Sequence, residues 1–157
     1  AEIAKKSDTK VALSLSDSFC VSRHRESFIN LVEDYIDILF ANEDEITSLY
    51  KTSNLNLAIE KLKEKCELAA ITIGKHGSIL ISKGKETTID PFILGKAIDT
   101  TGAGDLYAGG FLKGLSDGLN PVISAKMGSI CAGHIVTQLG SRSNTDLLTL
   151  INTHLKI

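Results

Sequence analysis

The stretch Asp99–Leu112 reads DTTGAGDLYAGGFL and places glycines and alanines on both sides of Asp105. The apolar residues that follow predict a helix from about Ala103 to Leu115, so Asp105 falls in its first turn. A helix N-terminus carries free N–H groups and a partial positive charge, and small residues let an anion approach the backbone closely. Two interpretations stay open: Asp105 complements the helix dipole, or it accepts a proton from a hydroxyl that attacks a bound phosphate.

Two common nucleotide-binding motifs do not account for this stretch. The pattern GxxxxGK[ST] of phosphate-binding loops occurs nowhere in the chain. Gly102 and Gly104 approach the dinucleotide pattern GxGxxG, but that pattern follows the first strand of its fold, whereas these glycines come late in the chain. The sequence therefore argues against a P-loop protein and against a dinucleotide-binding protein.

Composition limits the class of protein further. The 157 residues suit one domain, with 43% apolar and 23% charged residues. A net charge of −2 and the absence of a basic cluster beside aromatic residues predict no nucleic-acid partner. The apolar runs are too short to cross a bilayer, and the first residues contain no signal peptide, so we expect no membrane partner. Position 1 is not Met, which suggests that the numbering starts inside a longer gene product or at a processed end.

The three cysteines, Cys20, Cys66 and Cys131, lie far apart in the sequence. We expect them to be reduced core thiols of a cytoplasmic protein. No CxxC or HxxxH pattern occurs, so a structural zinc site is not expected.

The apolar pattern predicts strands that alternate with helices, followed by helices alone. Strands are predicted at 10–16, 36–41 and 68–74, and SILIS-KGK-ETTI is predicted to form a hairpin. Segment 17–26 is interpreted as a loop that leads into a helix with a stripe of Phe28, Val32, Tyr35 and Ile36. Further helices are predicted at 42–50, over NLNLAIEKLKEKC, from Pro121 (with Asn120 as N-cap) to about Gln138, and at the end of the chain. Buried strands alternating with helices predict an α/β fold with a mostly parallel sheet.

The complete stretch DTTGAGDLYAGGF resembles the signature of the PfkB, or ribokinase-like, family of carbohydrate and nucleoside kinases, D-T-x-G-A-G-D-x-[FY]-x-x-G. Every fixed position is met, at Asp99, Thr100, Gly102, Ala103, Gly104, Asp105, Tyr107 and Gly110. The resemblance implies that Asp105 is the catalytic base and that the backbone amides of Gly102, Ala103 and Gly104 form an anion hole. It favours catalysis over a purely structural role for the acid.

Other segments resemble further motifs of this family. Asn42 and Glu45 match an N-x-x-E motif whose residues order magnesium, its waters and the phosphates, although the same spacing is also a capping box. TIGKHG resembles a turn along the nucleotide phosphates, with Thr72, Gly74 and Gly77. The segment from Met127 to Arg142 resembles the helix and loop beside the adenine ring, with Gly128, Ser129 and Cys131–Ala132 near the base. At its end, Gly140-Ser141 replaces the usual G-A, and Asp99 and Gly140 are the candidates for a monovalent-cation site.

The resemblance implies a ribokinase-like three-layer α/β/α sandwich of which residues 1–157 are the C-terminal portion. It also implies ATP and Mg²⁺ as cofactors, K⁺ as a further candidate, a sugar or nucleoside acceptor, and a homodimer in the full-length parent. The segment SDSFCVSRHRESF is similar to a loop in a bacterial branch of adenosine kinase-like and sugar kinases. The Arg23–His24–Arg25 run is either a phosphate-attracting group or a solvated helix start, and His134 is expected to have a packing or surface role. The alternative is a truncated, non-catalytic nucleotide-binding fragment, because the half that carries the lid and most acceptor-binding residues is absent.

Overall fold

The computed structural model of the chain describes residues 1–156 and shows a five-stranded sheet with helices. The strands lie in the order β1-β2-β3-β4-β5, and β1–β2 and β2–β3 pair in parallel. The strands are β1 Ala12–Ser14, β2 Ile38–Asn42, β3 Leu68–Thr72, β4 Ser78–Ser82 and β5 Lys85–Ile89. The helices are α1 Glu2–Lys6, α2 Ser18–Arg23, α3 Arg25–Asp34, α4 Glu43–Leu49, α5 Leu55–Lys63, α6 Ala103–Ser116, α7 Pro121–Ile135 and α8 Leu147–Leu155, with a short 3₁₀ turn at Gly74–His76.

The buried parallel strands follow from the apolar runs. Four consecutive residues of β2, Ile38–Ala41, are buried, as are Ala69–Ile71 of β3. Such runs without alternation are typical of parallel strands that are covered on both faces. The predicted α/β class with a mostly parallel sheet is confirmed.

The chain divides into two units, each with its own apolar core. The first unit consists of Ala1–Ile73 and Ile79–Thr87, and the second of Gly74–Ser78 and the residues from Thr88 on. In the first unit the core gathers side chains from α2 to α5 and from the strands, among them Val21, Leu39, Ile46, Leu62 and Ile71. In the second unit Met127, Ile130 and Cys131 of α7 form a core with Ile151 of α8.

Local signals explain several element boundaries that the sequence predicted. Lys83 and Gly84 connect β4 and β5, and both have positive φ values, 50° and 75°. This is the backbone of a two-residue hairpin turn, so the predicted hairpin is confirmed. Asn120 accepts a hydrogen bond from the amide of Ile123 and Pro121 stands at the first position of α7, as predicted.

Some boundaries differ from the prediction. Segment 17–26, predicted to be a loop, forms α2 and the start of α3, because Asp17 caps α2 through the Cys20 amide at 2.6 Å and Val21 is fully buried. The second strand begins at Ile38 rather than at residue 36, since the Ile36 amide still donates to Leu31 of α3. Helix α7 ends at Ile135 rather than near Gln138, and α1 has no counterpart among the predicted elements.

The strands β1 and β3 are shorter than predicted, at three and five residues. The expectation of three core thiols is wrong for Cys20, which is exposed, while Cys66 and Cys131 are buried. Among residues 1–156, none of the helices is long and apolar enough to pass through a bilayer.

Candidate active site

The first turn of α6 presents unpaired backbone N–H groups beside an exposed acid. Gly102 is the N-cap with φ of 78° and no side chain caps the helix. The amide of Ala103 donates to the carbonyl of Thr100 at 3.1 Å, whereas no hydrogen bond among the described residues engages the amides of Gly104 and Asp105. A Cβ added at Gly104 would meet no atom within 4 Å. The turn therefore offers two free donors in open space, an arrangement that suits an anion.

The turn that leads into α6 is held by Asp99. Its carboxylate accepts hydrogen bonds from the Thr101 hydroxyl at 2.7 Å, the Thr101 amide at 2.9 Å and the Gly140 amide at 2.9 Å. These donors, the Thr101 hydroxyl first, hold the pKa of Asp99 below its ordinary value. Gly102 touches the same segment, because a Cβ there would lie 2.6 Å from Cβ of Ser141. Asp99 and Gly140, predicted to share a cation site, are thus brought together by a direct hydrogen bond.

The glycines of the TIGKHG turn have left-handed backbone conformations. Gly74 and Gly77 have φ values of 58° and 88°, and the Gly77 amide donates to the Gly74 carbonyl at 3.1 Å. A Cβ at Gly77 would lie 2.1 Å from the Ile89 carbonyl oxygen, so only glycine fits there. Thr72 ends β3 in the first unit, where it is the register partner of Asn42.

Asn42 and Glu45 bond to each other at the start of α4. The Glu45 carboxylate accepts from the Asn42 amide at 2.9 Å and from Asn42 Nδ2 at 2.8 Å, and the Glu45 amide donates to Asn42 Oδ1 at 2.8 Å. This is the predicted capping box. Burial raises the pKa of Glu45, the Asn42 amide opposes that shift, and Asp17 and Asp44 add to it.

The candidate adenine-side residues lie on α7, where Cys131 is buried and where Gly128 and Ser129 make contacts within the second unit. A Cβ at Gly128 would lie 2.6 Å from the Tyr107 carbonyl oxygen, so Gly128 allows α6 and α7 to approach closely. Ser129 Oγ donates to the Asp90 carbonyl at 2.9 Å and accepts from the Phe92 amide at 3.1 Å. Ala132 is half-buried.

The remaining candidates take different positions. His24 is exposed between α2 and α3, Arg25 Nε donates to the Ser48 carbonyl at 3.0 Å, and the Arg23 guanidinium lies 5.0 Å from the centre of the Phe19 ring. His134 Nε2 is buried without a hydrogen-bond partner among the described residues.

Sequence reasoning missed a buried hydroxyl pair in the second unit. Ser78 Oγ and Tyr107 Oη lie 2.7 Å apart, and both residues are almost fully buried. Burial raises the pKa of Tyr107 to about 12, although the Ser78 hydrogen bond opposes the shift. Tyr107 was visible as the aromatic position of the signature, but nothing in the sequence marks Ser78 as its partner.

Comparison with known proteins identifies the family. The model of the pfkB family carbohydrate kinases matches residues 1–147. The chain belongs to the PfkB family. It has the ribokinase fold: an adenosine kinase of Sinorhizobium meliloti superimposes with a TM-score of 0.93 and 38% identity, over 98% of this chain and 47% of that one.

Curated relatives of this PfkB chain include kinases for different acceptors. A nucleoside kinase of Methanocaldococcus jannaschii is 31% identical over 76% of this chain and 39% of its own length. A ribokinase of Haemophilus influenzae is 31% identical over 92% of this chain and 46% of its own length. The chain thus spans less than half the length of the curated relatives described here.

One further structure shares the fold and was solved with a nucleotide. A ribokinase-II-type protein of Escherichia coli in complex with ATP and Mg²⁺ superimposes with a TM-score of 0.85 and 20% identity, over 99% of this chain and 51% of that one. At 20% identity, this similarity shows a shared fold and nothing further.

Proposed function

We propose that the chain takes part in ATP-dependent phosphoryl transfer to a hydroxyl of a sugar or nucleoside. The observation that carries the proposal is the start of α6, where the exposed Asp105 follows unpaired backbone N–H groups in a complete family signature. The family match over 147 residues and the sugar and nucleoside kinases among the relatives support it.

In this proposal Asp105 accepts the proton of the attacking hydroxyl. Asp105 lies in the first turn of α6, at the positive end of the helix dipole, and its side chain is exposed. The anion hole formed by the Gly102–Asp105 turn stabilises charge on the transferred phosphoryl group. Because the Ala103 amide already donates to Thr100, the amides of Gly104 and Asp105 are its main donors.

The proposed cofactors are ATP and Mg²⁺. Among residues 1–156 no group of three or more His, Cys, Asp or Glu side chains could hold a metal ion. Mg²⁺ usually keeps several waters and binds through few protein groups plus the phosphates, so indirect contacts suit this chain. Asn42 and Glu45 would hold the waters of the ion, and the ion would neutralise phosphate charge.

The other residue roles follow the family motifs and are part of the same proposal. Thr72, Gly74 and Gly77 would lie along the nucleotide phosphates, and Gly128, Ser129 and Ala132 would contribute to the nucleotide-binding part. Asp99 and Gly140 would belong to a K⁺ site. Because its carboxylate is occupied by amide and hydroxyl donors, Asp99 would offer its backbone carbonyl to the cation.

We propose the acceptor only as a class, a sugar or a nucleoside, since the relatives include both ribokinases and nucleoside kinases.

We further propose that residues 1–157 are the C-terminal portion of a cytoplasmic kinase that forms a homodimer. The described cysteines are all free thiols, which suits a reducing compartment. The second candidate function is a non-catalytic nucleotide-binding fragment. The observation behind it is that the chain spans less than half the length of these relatives, while catalysis depends on positioning the acceptor and excluding water.

The test compares Asp105→Asn with wild type in transfer of the γ-phosphate of ATP to adenosine, ribose and fructose, in the chain and in a longer protein containing it. Turnover should fall by about 10²–10⁴-fold while ATP affinity is unchanged. Asp117→Asn is the matched control, since Asp117 is exposed at the other end of α6. Equal turnover of wild type and Asp105→Asn would remove Asp105 as the base. ATP binding without turnover on any acceptor would favour the fragment.

A further inference from the structure

The Ser78–Tyr107 hydroxyl pair joins two segments of the second unit that have roles in the proposed function. Tyr107 lies two residues after Asp105 on α6, and Ser78 directly follows Gly77 of the glycine turn. Residues two apart on a helix point in different directions, so Asp105 is exposed while Tyr107 is buried.

Tyr107 is held on several sides. Its carbonyl oxygen and ring lie against Gly128 of α7, where a Cβ would come within 2.6 Å and 3.2 Å of them. Its ring stacks on Phe111 with centroids 6.4 Å apart. The phenol oxygen is therefore presented to Ser78 from a fixed position on α6. Burial raises the pKa of Tyr107 to about 12, and either hydroxyl of the pair could be the donor.

The glycine turn is also held by close contacts with the backbone. Gly77 packs against the Ile89 carbonyl and the Pro91 nitrogen, where a Cβ would lie 2.1 Å and 2.9 Å away. These contacts hold the turn against the end of β5 and the segment that follows it, and none of them involves α6. The hydroxyl pair supplies a short polar link between the turn and α6 in a buried setting, where hydrogen bonds are strong and costly to leave unmade.

From this arrangement we propose that Ser78 and Tyr107 are positioning residues, which set the spacing between the Gly74–Gly77 turn and the anion-binding N-terminus of α6. The inference rests on the proposed function, because a nucleotide that contacts both segments requires that spacing. Neither residue is assigned a contact with the nucleotide.

The first measurement needs no nucleotide. Hydrogen exchange of the hydrogen-bonded amides of Gly77, Ala103 and Leu106 is compared in wild type, Ser78→Ala, Tyr107→Phe and the double variant. Tyr50→Phe is the matched control, because it also removes the hydroxyl of a tyrosine with a pKa raised by burial to about 12. Loss of the link should speed exchange in both segments by about ten-fold without affecting other helices, a local opening of the kind that exchange detects. Unchanged exchange in Tyr107→Phe would overturn the proposal.

The second measurement separates positioning from simple stability. Each single variant leaves one buried hydroxyl unpaired, whereas the double variant removes both and should regain thermal stability. If the link sets the spacing, the Kd for Mg·ATP should be about ten-fold higher in both single variants and should stay high in the double variant. Recovery of affinity together with stability would mean a merely structural pair and would overturn the proposal. A wild-type chain that binds no Mg·ATP would instead contradict the proposed function, and the exchange data would still decide whether the link holds the two segments.

Discussion

Gly104→Ala tests whether the start of α6 receives an anion. Gly104 and Gly109 both lie on α6, both are exposed, and a Cβ added to either would meet no atom within 4 Å. Neither has a positive φ. Alanine in place of glycine in a helix gains about 0.5–1 kcal/mol, mainly because the unfolded chain has less freedom to lose. For a chain of this size that gain corresponds to a rise in Tm of about 1–4 °C in either variant.

The two variants should differ in nucleotide binding. The Cα–Cβ bond in an α-helix tilts toward the N-terminus, so a methyl group at residue 104 enters the space in front of the free amides. Residue 109 lies five residues further along, about 7.5 Å down the helix axis. The Kd for Mg·ATP should therefore rise by at least about ten-fold in Gly104→Ala, a loss of about 1.4 kcal/mol, and stay unchanged in Gly109→Ala.

Calorimetric titration with Mg·ATP and thermal unfolding by circular dichroism measure the two effects on the same samples. Wild-type affinity in Gly104→Ala would refute the placement of an anion on these amides. A fall in Tm in either variant would show that the space beside the glycine is not open.

Two further predictions concern packing and pH. Gly110→Ala should lower the free energy of unfolding by about 1–3 kcal/mol in urea, because the added Cβ would lie 2.9 Å from both Cys131 Sγ and the Met127 carbonyl oxygen. A gain in stability like that expected for Gly109→Ala would contradict this contact. Asp99 has a lowered pKa in the folded chain, so its contribution to stability is present above its ordinary value of 3.8 and is lost as the pH falls through the lower folded pKa. The Tm difference between wild type and Asp99→Asn should narrow as the pH falls below 3.8, and a constant difference would exclude this linkage.

Much of the fold could be predicted because local chemistry and burial agree. Each element is indicated by a local pattern: apolar runs for β2 and β3, buried residues three to four positions apart for α5, and the Asn120–Pro121 start for α7. The hairpin between β4 and β5 was equally clear, since a glycine stands where the turn requires a positive φ.

The missed elements depend on contacts between distant residues. Helix α2 has six residues and a single buried side chain, Val21, so no periodicity reveals it. Cys20 was predicted to be buried because cysteine usually is, but it lies on the exposed side of that helix. The end of α7 at Ile135 was equally hidden, because the carbonyl of Val136 accepts hydrogen bonds from the distant amides of Ile98 and Asp99.

The sequence by itself determined the family signature around Asp105, the capping box of Asn42 and Glu45, and the α/β class, because each rests on residues close together in the chain. Only the tertiary structure decided what the small and polar residues of the second unit do. It showed that Gly128 allows α6 and α7 to approach, that Asp99 bonds to Gly140, and that Ser78 pairs with Tyr107. These contacts join residues 20 or more positions apart, and a hydroxyl or a glycine carries no local mark of the partner that folding brings to it.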